Sequence, residues 1–76
     1  MINKIKEFLE SNETELKLPF IPLEIYEALF EELGYELYNT ENSGWEIDFW
    51  WKYIKDNNII TLEGNLYDGN FKLIKQ

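Results

Sequence analysis

The sequence predicts an α+β fold: two N-terminal helices packed on one face of a four-stranded antiparallel meander, in the order ααββββ. Three observations predict it. Apolar residues recur at helical spacing as far as Leu33. After Gly34 the period drops from about 3.6 residues to about 2. The alternating runs are separated by the turn-forming stretches "TENSG", "KDNN" and "DG".

The first helix spans 2–11. Ile2, Ile5, Phe8 and Leu9 share one face, and Lys6 and Glu10 form an i,i+4 pair. Ser11-Asn12 ends it. The connector 12–21 is apolar and holds Pro19, with Pro22 just beyond. It is expected to cross the core, with room for a short extended piece at Glu15–Leu18. The second helix spans 22–33. Pro22 suits the first turn, where its missing N–H costs nothing. Ile25, Tyr26, Leu29, Phe30 and Leu33 make a wide apolar stripe, and Gly34 stands where a left-handed cap ends many helices. Glu24, Glu27 and Glu31 form an acidic stripe on the other side, with Glu32 nearby.

Strands are expected at 35–39, 45–54, 59–67 and 70–75. Asp68-Gly69 is the strongest hairpin signal, because a type I′ turn needs positive φ at both central residues. A turn at Glu63-Gly64-Asn65 is the competing choice. Pairing 39 with 45, 54 with 59 and 67 with 70 generates cross-strand rows. One face reads Leu37–Ile47–Leu66–Phe71, Tyr35–Phe49–Gly64–Leu73, Trp51–Leu62–Lys75 and Tyr53–Ile60. It is apolar almost throughout, with Gly64 opposite a ring that can cover it. The other face reads Tyr38–Glu46–Tyr67–Asn70, Glu36–Asp48–Asn65–Lys72, Trp50–Glu63–Ile74 and Lys52–Thr61. A one-residue slip would invert every side chain, so the apolar agreement supports the register. The helices are expected on the first face, leaving the second to water. Of the three tryptophans, Trp45 and Trp51 then join the covered face and Trp50 alone points out.

Composition bounds the function. The length of 76 residues predicts a single domain over 1–76. There is no cysteine, hence no disulfide or thiolate metal site, which suits the cytoplasm. Apolar runs fall far short of the ~20 residues that cross a bilayer, and "MINKIKEFLE" lacks the continuous apolar centre of a signal peptide. No membrane association is expected. The net charge is −8, without arginine or histidine. Residues 1–41 hold ten glutamates against three lysines, and residues 42–76 hold five acids against four lysines. An acidic half beside a near-neutral half makes an oriented field that steers basic partners. Direct nucleic-acid binding needs clustered lysine or arginine and is not expected.

Catalytic chemistry has little to use. Without cysteine or histidine there is no Ser-His or Cys-His arrangement, and the four glycines are scattered, so no phosphate cradle forms. No catalytic residue, metal or cofactor is assigned. One alternative is a ligand or divalent-metal site at Glu36, Asp48 and Asn65, which the register makes row-mates. Partner-binding residues are expected on two surfaces: Trp50, Ile74, Glu63, Tyr38 and Tyr67 on the open sheet face, and Glu24, Glu27 and Glu31 on the second helix. Exposed tryptophan beside another apolar residue marks interfaces more often than scattered single residues do. The expected function is that of a small acidic, non-catalytic protein-binding domain. It would inhibit a basic, nucleic-acid-binding protein by occlusion, a nucleic-acid mimic of the kind found among immunity and anti-defence proteins. The other alternative is an assembly protein that homodimerises or docks through the open sheet face.

Overall fold

The computed structural model of the chain describes residues 1–42 and 48–75. Its elements run α1 (Ile2–Glu10), β1 (Glu15–Leu18), α2 (Leu23–Glu32), β2 (Glu36–Asn42), β3 (Asp48–Lys55), β4 (Asn58–Asn65) and β5 (Phe71–Lys75). The strands form one five-stranded sheet in the order β1-β5-β4-β3-β2, every neighbouring pair antiparallel.

This corrects the expected ααββββ order and its four strands. The stretch 12–21 is not a plain connector. Its "ELKL" segment alternates, with Leu18 buried, Leu16 half-buried, and Glu15 and Lys17 exposed. It therefore pairs as an edge strand with β5, Leu16 opposite Leu73 and Leu18 opposite Phe71. Four residues are too few to show a period by themselves, and the strand lies between two helices in the chain.

The β3–β4 register matches the expected one residue for residue, with Trp50 opposite Glu63, Trp51 opposite Leu62 and Phe49 opposite Gly64. The turn that sets it is Asp56-Asn57, both at positive φ (53° and 87°), between the paired Lys55 and Asn58. Asp and Asn tolerate that region better than other side chains, which is what a type I′ turn demands. The type I′ turn expected at Asp68-Gly69 does not form, and neither does its competitor at 63–65. Instead Asn65 and Asn70 bracket a four-residue loop. The Asn65 Oδ1 accepts from the backbone N–H groups of Tyr67 (2.8 Å) and Asp68 (3.0 Å), and the N–H of Gly69, at φ +73°, donates to the Asn65 carbonyl (2.9 Å). The β4–β5 rows accordingly slide by two: Gly64 faces Phe71, Leu62 faces Leu73 and Ile60 faces Lys75. A shift of two keeps each side chain on its expected face.

The β2 register departs most. The strand continues to Asn42, so Leu37 faces Tyr53 and Glu36 faces Ile54, with a bulge between Leu37 and Asn39. The row that joined Tyr35 to Phe49 does not form, since Phe49 faces Asn42. The expectations for Trp45, Glu46 and Ile47 fall outside the described residues.

Both helices contribute to one core on the same sheet face. Ile5 and Phe8 of α1 and Tyr26 and Phe30 of α2 meet Leu18, Phe49, Tyr53, Ile60, Leu62, Phe71 and Leu73. Aromatic contacts run through it: Phe30 on Tyr53 at 4.8 Å between centroids, and Phe49 edge-on to Phe71 at 5.4 Å. Gly64 is essential to the second contact. A Cβ there would lie 2.5 Å from a Phe71 ring carbon and 2.8 Å from the Asn70 carbonyl oxygen.

Neither helix has a basic residue in its last turn. The sheet supplies one to each. Lys75 donates to the carbonyls of Phe8 (2.8 Å) and Ser11 (2.6 Å) while lying over the Phe8 ring. Lys55 donates to the carbonyl of Leu33 (2.8 Å) and lies over the Tyr35 ring. Gly34, at φ +91°, and Tyr35 complete the end of α2 by donating to Glu31 and Phe30. This is the paired-bond pattern of a Schellman cap.

Candidate functional site

The helices cover one sheet face, and on the other face two rows of side chains have no helix over them. The first row crosses four strands as Lys17, Lys72, Glu63 and Trp50. The second crosses the same strands as Glu15, Ile74, Thr61 and Lys52. Above the first row lie Asp48 and Asn65, directly opposite one another, with the Asn65 side-chain amide donating to Asp48 Oδ1 (2.5 Å).

Trp50 divides this surface into two open hollows. The larger, of about 780 Å³, is lined by Lys17, Asp48, Trp50, Glu63, Asn65 and Lys72 among others. The smaller, of about 320 Å³, lies between Trp50, Lys52, Thr61, Glu63 and Ile74. Trp50, Glu63 and Ile74 line the smaller hollow together, but the expected Trp50–Glu63–Ile74 row does not form: Ile74 is a diagonal neighbour of Glu63, and its direct row-mates are Glu15 and Thr61. Trp50 is half-buried, and the Lys52 ammonium sits 5.2 Å from its ring centroid. Lys72 is held between Glu15 and Glu63, 3.3 Å from each. Hydrogen bonding to Glu63 and then Glu15 pushes the Lys72 pKa upward, so it stays charged. Thr61 is 6% exposed, and its buried hydroxyl finds no hydrogen-bond partner among the described residues.

Tyr38 and Tyr67 do not share a row. Tyr38 is the extra residue of the β2 bulge and Tyr67 sits in the β4–β5 loop, exposed by 60% and 88%. The loop takes Tyr67 out of the sheet because the turn is longer than two residues. Glu36 is likewise removed from Asp48 and Asn65. It stands opposite Ile54, six residues along β3 from Asp48, about 20 Å at strand spacing. The expected oxygen cluster is therefore not assembled, and among the described residues no group of three acidic, histidine or cysteine side chains is placed to hold a metal.

The α2 surface keeps Glu24, Glu27 and Glu31 together and exposed. They follow one side of the helix at three- and four-residue spacing, with Glu32 and a 46% exposed Ile25 beside them. Glu27 and Glu31 also flank the spot where α2 covers Tyr53. Burial pushes that phenol's pKa up, and the two carboxylates push it further. No lysine lies within α2.

Sequence reasoning overlooked Phe20, which is 59% exposed, and placed on the covered sheet face Leu66, which lies in the β4–β5 loop and is 41% exposed. Phe20 rests on Gly69 and tilts against Phe71 at 5.2 Å. Its place between Pro19 and Ile21-Pro22 signals irregular backbone, but irregular backbone has no period from which to read a face. Among the described residues no helix is long and apolar enough to cross a membrane. Comparison with protein-family models, with curated proteins and with solved structures found no match to this chain.

Proposed function

We propose that the chain is a small acidic, non-catalytic binding domain that inhibits a basic, nucleic-acid-binding protein by occupying its cationic groove. One observation carries this reading: four of the five sheet lysines are engaged and the glutamates of α2 are not balanced. Lys55 and Lys75 sit on helix carbonyls, Lys72 lies between two carboxylates, and Lys52 covers Trp50. Glu24, Glu27, Glu31 and Glu32 therefore project a local −4 into solvent from a helix with no cation of its own. Regularly spaced carboxylates on a rigid helix offer a cationic groove the same charge that phosphates do, and Ile25 adds apolar contact beside them. Immunity and anti-defence proteins share this physical profile. A cysteine-free chain of this kind fits the cytoplasm.

The test is affinity capture of basic proteins, with the wild type compared against the triple variant Glu24→Gln, Glu27→Gln, Glu31→Gln. The expected partner is displaced by duplex DNA, associates more slowly as salt rises, and binds the triple variant at least about tenfold more weakly. Capture unchanged by neutralising the three glutamates overturns the reading.

A further inference from the structure

The open sheet face does not share the acidity of α2. Around its hollows Lys17, Lys52 and Lys72 stand among Glu15, Asp48 and Glu63, a locally neutral patch on a chain of net charge −8. Charge complementarity gives a basic partner no advantage there. It does favour a surface with the same pattern run backwards, and the two rows described above have that relation. On β1, Lys17 lies in the first row and Glu15 in the second. On β3, Trp50 lies in the first row and Lys52 in the second, and on β4 Glu63 precedes Thr61 in the same way. On β5 the first-row residue is Lys72, whose long aliphatic stem corresponds to Ile74.

We propose that this face is a self-complementary interface between two copies of the chain, related by a two-fold axis that runs across the strands between the rows. Such an axis lays each strand over its own copy in the opposite direction, so each first-row residue meets the second-row residue of the same strand. Lys17 meets Glu15 of the second copy and Trp50 meets the Lys52 ammonium of the second copy. Glu63 is brought over the Thr61 position. Each contact occurs twice. Sheet twist of about 20–25° per strand rotates the edges of the two sheets apart, but residues one position from the axis are displaced by only a few ångströms. The inference does not depend on the function proposed above. It leaves both α2 helices on opposite outer sides of the pair, so the dimer presents two acidic surfaces at once.

Four strands about 4.8 Å apart and roughly four residues deep give an area on the order of 300 Å² per copy. That is well below the ~800 Å² per partner of a standard interface, so the dimer is weak and reversible.

The test is sedimentation equilibrium from about 10 μM to 1 mM at ~150 mM salt, where a Debye length of about 8 Å screens the long-range repulsion between the copies. The wild type should dimerise. Lys17→Glu should weaken dimerisation at least about tenfold, and so should Glu15→Lys. Both positions are exposed, so folding is retained. An equimolar mixture of the two variants should recover dimer to near the wild-type level, because each Glu at position 17 then meets a Lys at position 15. With wild-type chains, carbodiimide treatment of a mixture of ¹⁴N- and ¹⁵N-labelled protein should produce an isotopically mixed Lys17–Glu15 cross-link. A wild type that stays monomeric at 1 mM overturns the proposal. So do variants that dimerise like the wild type, a mixture that remains monomeric, or a cross-link found only within single chains.

Discussion

Gly64 occupies the point where three strands bring Phe49, Phe71 and the Asn70 carbonyl together, and it is the absence of a side chain that lets the rings meet. Gly64→Ala should destabilise by about 1–3 kcal/mol, the usual cost of overfilling a packed core, as read from urea unfolding. A variant as stable as the wild type would mean that Phe71 moves aside freely. The tyrosines set a second limit, at high pH. Burial raises the Tyr26 pKa to about 12 from the ordinary 10.0, and Tyr26 donates its hydroxyl proton to the Pro19 carbonyl. Burial, then the charge of Asp56, raises Tyr35, and Tyr53 is raised as described. The native state therefore holds protons that the unfolded chain releases above about pH 10, so stability is lost as pH rises from there toward 12. Urea midpoints measured from pH 8 to 12 should stay flat and then fall, and Tyr26→Phe should lessen the fall. Tryptophan shows how far single residues were legible. Alternation placed Trp50 and Trp51 on opposite faces, as the structure has them, yet both are half-buried. A period gives direction; burial depends on what covers the side chain. Trp51→Ala should accordingly cost less than the ~3–5 kcal/mol of a fully buried tryptophan.

Elements were legible where a period had room to repeat. The nine-residue and ten-residue helices and the eight-residue strands β3 and β4 each show theirs. The four residues of β1 show only an extended character, and their partner β5 is distant in sequence: the Lys72 ammonium donates to the Glu15 carboxylate 57 positions away. Turns were read by their best-known dipeptide. Asp68-Gly69 carries that signature, but the Asn65 side chain captures two backbone N–H groups and opens the loop, while Asp56-Asn57 makes the tight turn. The Glu36–Asp48–Asn65 cluster depended on the β2 register, which the bulge and the longer strand displaced. The lysines at the strand ends were equally hidden, since their role is to end helices distant in sequence. Lys75→Met keeps the apolar stem against Phe8 and removes two charge-assisted bonds to helix carbonyls. It should cost about 1.5–3 kcal/mol by thermal or chemical unfolding. A loss of only a few tenths would mean that water replaces the ammonium without penalty.

At the scale of the whole molecule, charge and connectivity divide the labour. An unbalanced acidic group sits on α2 and mixed charges surround the hollows of the open sheet face; α2 holds four of the ten glutamates that make residues 1–41 acidic. What composition could not show was where the lysines point, because their partners are backbone carbonyls and carboxylates that only the fold brings near. Connectivity has a consequence in time. Strands β2 to β5 follow one another and can pair as they are made, but β1 must wait for the last of them. During synthesis on a ribosome its leucines have no sheet to join until 71–75 have emerged, so closure of that edge is a late event. Leu18→Ala, at a buried position of β1, should then act mostly on the unfolding limb of a stopped-flow chevron, leaving the refolding rate within about twofold. If refolding slows in proportion to the lost stability, the edge is part of the nucleus. If it does not, a nascent chain halted before β5 is a meander with one border unsealed, and the ribosome holds the domain open until its final strand is delivered.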